Sequence, residues 1–421
     1  MKVFPDNFYK SSDLNSEGKI PVIIQSKDKK FFQELQTKLK PSYCEITGEL
    51  KIIDSFTANI HPEKFKEFVK LLPKNANLFL DSKVSIPENP EIINEEPPSV
   101  TPKTNTAMPV SGVNKLWEKG FTGKGVTIAV VDTGIYDHPD LKDLNTGKSR
   151  IIGFKDFIDN KEQPYDDQGH GTHVSGIAAG NGLSSQGVFK GAAPEANLVG
   201  VKVLKANGQG SYSGIIRGIE WVVNNKNKYN IKVMNMSLGG DINTSYKKDP
   251  LVQAVEKDFS KGIVPVIAAG NSGPNNSTIG SPGNAPSVIT VGALNDNQTV
   301  DKSDDLIAKF SSRGPTSIDK LNKPDVLFSG VNITSCLSPG SAMDNPNIPH
   351  IGKDYITISG TSMATPGTAG VIADLIQANP RIKPVQIKKI LMETSDPLDG
   401  LTVNDQGKGL VDAPEALTKV I

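Results

Sequence analysis

Val126-Thr127-Ile128-Ala129-Val130-Val131-Asp132-Thr133-Gly134 is an apolar, largely β-branched run that stops on a carboxylate and a glycine. A continuous run of this kind, without polar alternation, reads as a strand buried on both faces, as in a parallel sheet covered by helices. The pattern recurs outward from it, with strands expected at Asn197–Val203, Val233–Met236, Ile263–Ala268 and Val288–Val291. Helical patterns lie between them: Ser213–Val223, with Ile215, Ile216, Ile219 and Val223 facing inward, and Leu251–Phe259. From about Val110 onward the alternation predicts an α/β fold, a parallel sheet with helices on both faces. Such sheets bind ligands beyond the carboxyl ends of their strands, and Asp132 stands at one such end.

The 421 residues exceed one ordinary domain. Residues 1–86 read as a separate α+β unit. Ile20-Pro21-Val22-Ile23-Ile24 precedes a helical pattern carrying Phe31, Phe32, Leu35 and Leu39. Strand-like runs follow at Tyr43–Thr47 and Leu50–Ile60, separated by a turn at Gly48-Glu49. Pro62 then opens a second helix with Phe65, Phe68, Val69 and Leu72 on its apolar face, and a last strand covers Ala76–Leu80. The order βαββαβ predicts a ferredoxin-like arrangement. Residues 87–109 interleave Pro87, Pro90, Pro97, Pro98, Pro102 and Pro109 with Glu88, Glu91, Glu95 and Glu96, and read as an extended linker. Exposed linkers are where a protease cuts most readily. Residues 110–421 hold the α/β domain.

With 46 basic and 46 acidic side chains, charge offers no case for nucleic acid or an anionic membrane as partner. The segment Met1–Lys10 has no apolar leader, and no apolar run is long enough to span a bilayer. Cys44 and Cys336 fall in different units and read as two free thiols in a reducing compartment. Together these features point to the cytoplasm.

Three residue types with catalytic chemistry follow in order. Asp132 ends its strand; alone, Asp-Thr-Gly is equally good turn chemistry. His170 and His173 stand in Gly169-His170-Gly171-Thr172-His173, ahead of a small-residue helical run. No Glu-x-x-His or cysteine cluster accompanies them, so a zinc pair is the weaker reading, and at i and i+3 one imidazole can face a cleft while the other packs behind it. Ser362, in Gly360-Thr361-Ser362-Met363-Ala364-Thr365-Pro366, opens an apolar helix with Pro366 in its first turn. A serine there is a plausible N-cap, and it also sits where unpaired N–H groups stabilise an oxyanion. Asn271 follows an apolar strand in Ala269-Gly270-Asn271, a turn residue or an oxyanion donor.

Asp, His and Ser in this chain order separate the candidate folds, since α/β-hydrolases run Ser, Asp, His and chymotrypsin-type enzymes run His, Asp, Ser. Only the subtilisin-like order fits. Ala364 also stands where a Gly-x-Ser-x-Gly nucleophile elbow needs its second glycine. With Asn235-Met236-Ser237-Leu238-Gly239-Gly240 in the expected place, the chain resembles the subtilisin-like serine proteases. Tyr165-Asp166-Asp167-Gln168-Gly169-His170 and Phe310-Ser311-Ser312-Arg313-Gly314-Pro315 look most like the AprX-type branch of bacilli.

The resemblance implies that Asp132 orients, His170 acts as base and then acid, Ser362 attacks, and Asn271 with the Ser362 N–H holds the oxyanion, leaving His173 structural. It implies that extended polypeptide pairs as a strand between Gly208-Gln209-Gly210 and Ser237-Leu238-Gly239, and that Gly280 floors a first specificity pocket open to large apolar residues. The N-terminal unit resembles an inhibitory propeptide acting on its own chain, which places autocleavage between Ile86 and Val110. No cofactor is required and no metal site is assigned. Structural calcium stays open: Asp140, in His138-Pro139-Asp140-Leu141, matches a calcium-binding residue of related enzymes, but the partner loop 181–191 offers no carboxylate. The alternatives are an inactive homologue that only docks peptides, and a metal-dependent hydrolase using His170 and His173.

Overall fold

The computed structural model describes residues 8–26, 43–86 and 105–421. Its N-terminal sheet contains β1 (Ile20–Gln25), β2 (Cys44–Leu50), β3 (Ser55–Ile60) and β4 (Asn77–Leu80), in the spatial order β2-β3-β1-β4 with every pair antiparallel. The helix Phe65–Leu71, entered through a 3-10 turn at Pro62–Lys64, buries Phe65 and Phe68 against Ile20, Val22, Ile24 and Ile60. The helix expected around Phe31 to Leu39 lies outside the described residues.

The turn expected at Gly48-Glu49 falls elsewhere. β2 runs on to Leu50, and the chain reverses through Lys51–Ile53 and the left-handed Asp54 (φ 49°). Gly48 instead follows a register shift in the ladder after Ile46, and a Cβ there would lie 2.9 Å from Arg217 Nη2. Glycine within a strand marks a bulge or a close approach as readily as a turn.

The large sheet contains β6 (Thr127–Asp132), β7 (Ile151–Asp156), β8 (Asn197–Lys202), β10 (Ile231–Met236), β11 (Val264–Ala268), β12 (Ile289–Asn295), β13 (Leu306–Ile307) and β14 (Val326–Ser329). Its order is β13-β12-β11-β10-β6-β8-β7, with β14 also on β12; only the β12–β13 pair is antiparallel. All six residues of β6 are buried, as its uninterrupted run predicts. Alternate residues feed two cores. Ile128 and Val130 face the helices His170–Ala179 and Thr361–Ala378, while Ala129 and Val131 face Tyr212–Tyr229 and Pro250–Ser260. The sheet therefore carries helices on both faces, as expected.

Two short strands join the units. β5 (Lys83–Ser85), at the end of the N-terminal unit, pairs antiparallel with β9 (Gln209–Ser211). Of the stretch read as linker, residues 105–109 are described, and they already belong to the packed body. Ala107–Val110 forms one helical turn with Met108 and Val110 buried, and Thr106 Oγ1 donates to Asp296 Oδ2 (3.0 Å). Both cysteines are free and buried. Among the described residues no helix is long and apolar enough to cross a membrane.

Candidate active site

The carboxyl ends of β6, β8, β10 and β11 deliver Asp132, Lys202, Ser237 and the Ala269–Asn271 loop to one edge of the sheet. Asp132 is fully buried. Its Oδ1 accepts from Thr133 N (2.7 Å) and faces His170 Nδ1 at 2.8 Å, while among the described residues Oδ2 has no partner. The imidazole is thus held through Nδ1. Gly134 turns the chain away behind Asp132 at φ 131°, where a Cβ would fall 2.2 Å from Tyr165 O.

The start of the His170 helix is closed by side chains. His170 N donates to Gln168 Oε1 (2.8 Å), Gly171 N to Thr133 Oγ1 (2.9 Å) and Thr172 N to Asp166 Oδ2 (2.9 Å). Asp166 also accepts from Thr133 Oγ1, Gln168 N, Gly169 N and Thr172 Oγ1. Its placement before the His170 motif was visible in the sequence; its role as a hub was not. Lys202 is a second residue that sequence reasoning missed. Its buried ammonium bridges Thr133 O, Leu204 O (2.9 Å) and Asp167 Oδ1 (2.7 Å), tying the end of β8 to the turn after Asp132. A third is the loop 337–349: Ser338 Oγ donates to Asp166 O (2.7 Å), and Ala342 N and Met343 N to the carbonyls of Asp167 and Gln168 (both 2.9 Å).

His173 takes the opposite fate from His170. It is completely buried one turn along the same helix, its Nε2 lies 3.2 Å from Ile356 O, and desolvation pulls its pKa down to about 3, so it stays neutral. The two imidazoles serve different partners and do not converge as a metal pair.

The Ser362 helix begins earlier than expected, at Thr361, which moves Pro366 from the first turn into the second. A proline there removes the N–H that would bond the carbonyl four residues back, which is Ser362 O. Ser237 Oγ supplies that missing donor at 3.0 Å, and Asn235 Nδ2 holds Ser237 Oγ in turn (3.1 Å). The Ser362 hydroxyl donates to Ser237 O (3.2 Å). Asn271 Oδ1 accepts from Thr361 N (3.0 Å) and Thr361 Oγ1 (2.9 Å), which fixes the orientation of the carboxamide. Among the described residues Ser362 N–H is bonded to no acceptor.

The residues expected to bind extended polypeptide lie together, and the chain's own strand lies between them. Ser85 exchanges both backbone bonds with Gly239 (N to O 3.3 Å, O from N 3.2 Å), β5 pairs with Gln209 and Gly210 on its other edge, and Ile86 N donates to Gly208 O (3.1 Å). Val84 is buried in a cluster with Leu204, Tyr212 and Leu238. Asp81 carries the contact onto the next helix, accepting from Ser213 N (2.8 Å) and Ser213 Oγ (2.6 Å). Gly280 donates its N–H to Ala269 O (3.1 Å), and a Cβ on it would approach Gly240 O to 3.0 Å.

Among the described residues one group has metal-ligand spacing: His138, Asp140 and Cys336. Calcium does not fit it. A calcium ion takes six to eight oxygens; here both Asp140 oxygens already accept, from Ser184 N (2.8 Å) and Tyr355 Oη (2.7 Å). A softer ion fares no better. Both nitrogens of His138 are occupied, by Asp140 N and Asp354 O, and burial pushes the Cys336 thiol well above its usual range.

A buried carboxylate–imidazole pair and a helix-borne serine both stand at the carboxyl edge of the parallel sheet. Residues 123–409 match the subtilase family, peptidase S8, and the chain belongs to that family. It is 49% identical over 325 residues to serine protease AprX of Bacillus subtilis, covering 74% of this chain and 71% of that protein. It is 39% identical over 306 residues to subtilisin E of the same species, covering 72% and 68%. Fervidolysin from Fervidobacterium pennivorans, a keratinolytic enzyme related to subtilisin, has a similar structure (TM-score 0.74, 25% identity). That likeness covers 99% of this chain but only 62% of fervidolysin. The protein is a subtilisin-type serine protease.

Proposed function

We propose that the chain is a zymogen of a serine endopeptidase acting on extended or unfolded polypeptide, inhibited by its own N-terminal unit and processed between Ile86 and Val110. Asp132 holds the His170 tautomer and steadies the imidazolium. His170 Nε2 takes the Ser362 hydroxyl proton as Oγ attacks the peptide carbonyl, then returns it to the leaving amine. Asn271 Nδ2 and the Ser362 N–H receive the developing oxyanion, and water hydrolyses the acyl-enzyme by the same proton path in reverse. Substrate takes the place of Lys83–Ile86 as the strand between Gly208–Gly210 and Ser237–Gly239, with Gly280 bordering a pocket for a large apolar side chain.

The observation that carries this reading is the docking of Lys83–Ile86 between the two segments expected to hold substrate, directly before the proline-rich stretch. The test is azocasein hydrolysis by wild type and Ser362→Ala, with intact mass followed in parallel. Wild type is expected to split between Ile86 and Val110, to hydrolyse azocasein and to be labelled by phenylmethylsulfonyl fluoride at Ser362; the variant stays whole and inert. An unlabelled, inactive wild type that still binds peptide would establish the docking homologue instead.

A further inference from the structure

The corner around Asp140, the position that matches a calcium-binding residue of related enzymes, is built around a different cation. Arg150 immediately precedes β7 and is 5% exposed. Its Nη1 donates to Ala196 O (2.5 Å), and Nη2 donates to Asp140 O (2.9 Å) and to Ala179 O (2.6 Å). Those carbonyls come from three places: the turn Pro139–Leu141, the last residue of the His170 helix, and the residue before β8. A guanidinium gathering carbonyl oxygens from separate elements plays the part of a bound metal ion, with its charge fixed to the chain.

The loop that would complete a metal cage is also closed on itself. Asn181 Oδ1 accepts from Leu183 N (2.9 Å), and Asn181 Nδ2 donates to Lys142 O (2.6 Å). Gly182 O accepts from Gly187 N (2.8 Å), and Gly180 O from Gly191 N (2.8 Å). These loop oxygens each already accept a hydrogen bond from within the loop or its flanks. Asp140 and Arg150 balance in charge, and a divalent ion added beside a buried guanidinium brings like charges together in a poorly solvated place. Burial lowers the Arg150 pKa to about 10, so the side chain is charged at neutral pH.

We propose that Arg150 is the resident cation of this corner, joining the Asp140 turn, the end of the His170 helix and the start of β8, so that the corner is held without calcium. Tyr355 completes it by supplying Asp140 with a hydroxyl donor.

The test uses the full chain in the Ser362→Ala background, which prevents autolysis, and follows thermal unfolding in excess EDTA and in excess calcium chloride. Any calcium effect is expected to be the same size with and without Asp140→Asn, because none of it arises at this corner. Arg150→Met is expected to lower Tm by roughly 5 °C or more, since three buried carbonyls lose their charged donor. Should that variant fail to fold, Arg150→Lys, which keeps the charge but not the fork, is expected to lower Tm by a smaller margin. Terbium added in place of calcium is expected to give no emission that depends on Asp140, although Tyr355 stands ready to sensitise it. A calcium-dependent rise in Tm, or terbium emission, that disappears with Asp140→Asn overturns the proposal. So does an unchanged Tm in Arg150→Met, or in Arg150→Lys where that variant is the one measured.

Discussion

Two helices meet at this site, both built of small residues and both fully buried at their first turn, yet they begin in opposite ways. The His170 helix has its leading N–H groups taken by Gln168, Thr133 and Asp166. In the Ser362 helix Thr361 N is capped by Asn271 and Met363 N by Gly360 O, while the Ser362 N–H is unbonded to any described residue. A helix start is a concentrated positive dipole, and its use depends on whether side-chain oxygens have already satisfied it. The closed start fixes an imidazole in place. In the proposed mechanism the open start is where charge arriving with the transition state would be received.

That contrast is broken most severely at Asn271. Asn271→Ala removes a donor from the open start and is expected to lower kcat with little change in KM, while Tm moves by only a degree or two. Subtilisin is itself the type case for this effect, with a loss of about 10²–10³ for the matching donor, and steady-state kinetics on a peptide substrate would check whether this chain behaves alike. An equal fall in stability and rate would show that the two starts do the same job.

The closed start should fail the other way. Asp166→Ala strips acceptors from several buried donors at once, and denaturant unfolding is expected to show a loss of about 3 kcal/mol or more. Its activity should fall because His170 is misplaced, with Asp166→Asn recovering part of both.

His173 gives a pH test of the same helix. Its folded pKa, about 3, is depressed below the ordinary histidine value of 6.5, so between these limits the unfolded chain binds the extra proton. Stability contributed by neutral His173 is therefore present above about pH 6.5 and lost as pH falls toward 3, with a slope of up to about 1.4 kcal/mol per pH unit. Urea titrations of Ser362→Ala and of the same chain carrying His173→Gln should differ in that slope across this window. Parallel curves would mean that His173 is not kept neutral by the fold.

The smallest effect is expected at Ser237. Ser237→Ala removes the hydroxyl that replaces the missing Pro366 N–H, and about 1 kcal/mol of stability should go with it. Because Ser237 O remains as backbone, strand pairing with substrate should survive and KM should barely move.

Much of this was legible in one dimension. β6 reads as buried because nothing polar interrupts it, and the Asp, His and Ser motifs stand out because few turn or cap residues come in such company. β7 escaped notice since Ile151–Asp156 is mostly half-exposed and contains Gly153, leaving no continuous apolar run. Proline content draws the linker through residue 109, although Ala107 and Met108 are buried; composition weighs a stretch, whereas burial is decided residue by residue. Pro366 lies one turn further into its helix than the sequence suggests, because its cost as an interior proline is offset by Ser237, which bonds Ser362 O from 125 residues away in the chain. The bonds from loop 337–349 to Asp166–Gln168 are likewise invisible to any local pattern.

The pairing of Lys83–Ser85 with Gln209–Ser211 is made within one chain. Its occupancy is set by the effective molarity of a tethered strand, typically millimolar for short flexible connections, and is the same at every protein concentration. A competing peptide must exceed that molarity to enter. Once the tether is cut, the same contacts become bimolecular, and simple dilution separates what no dilution could loosen before.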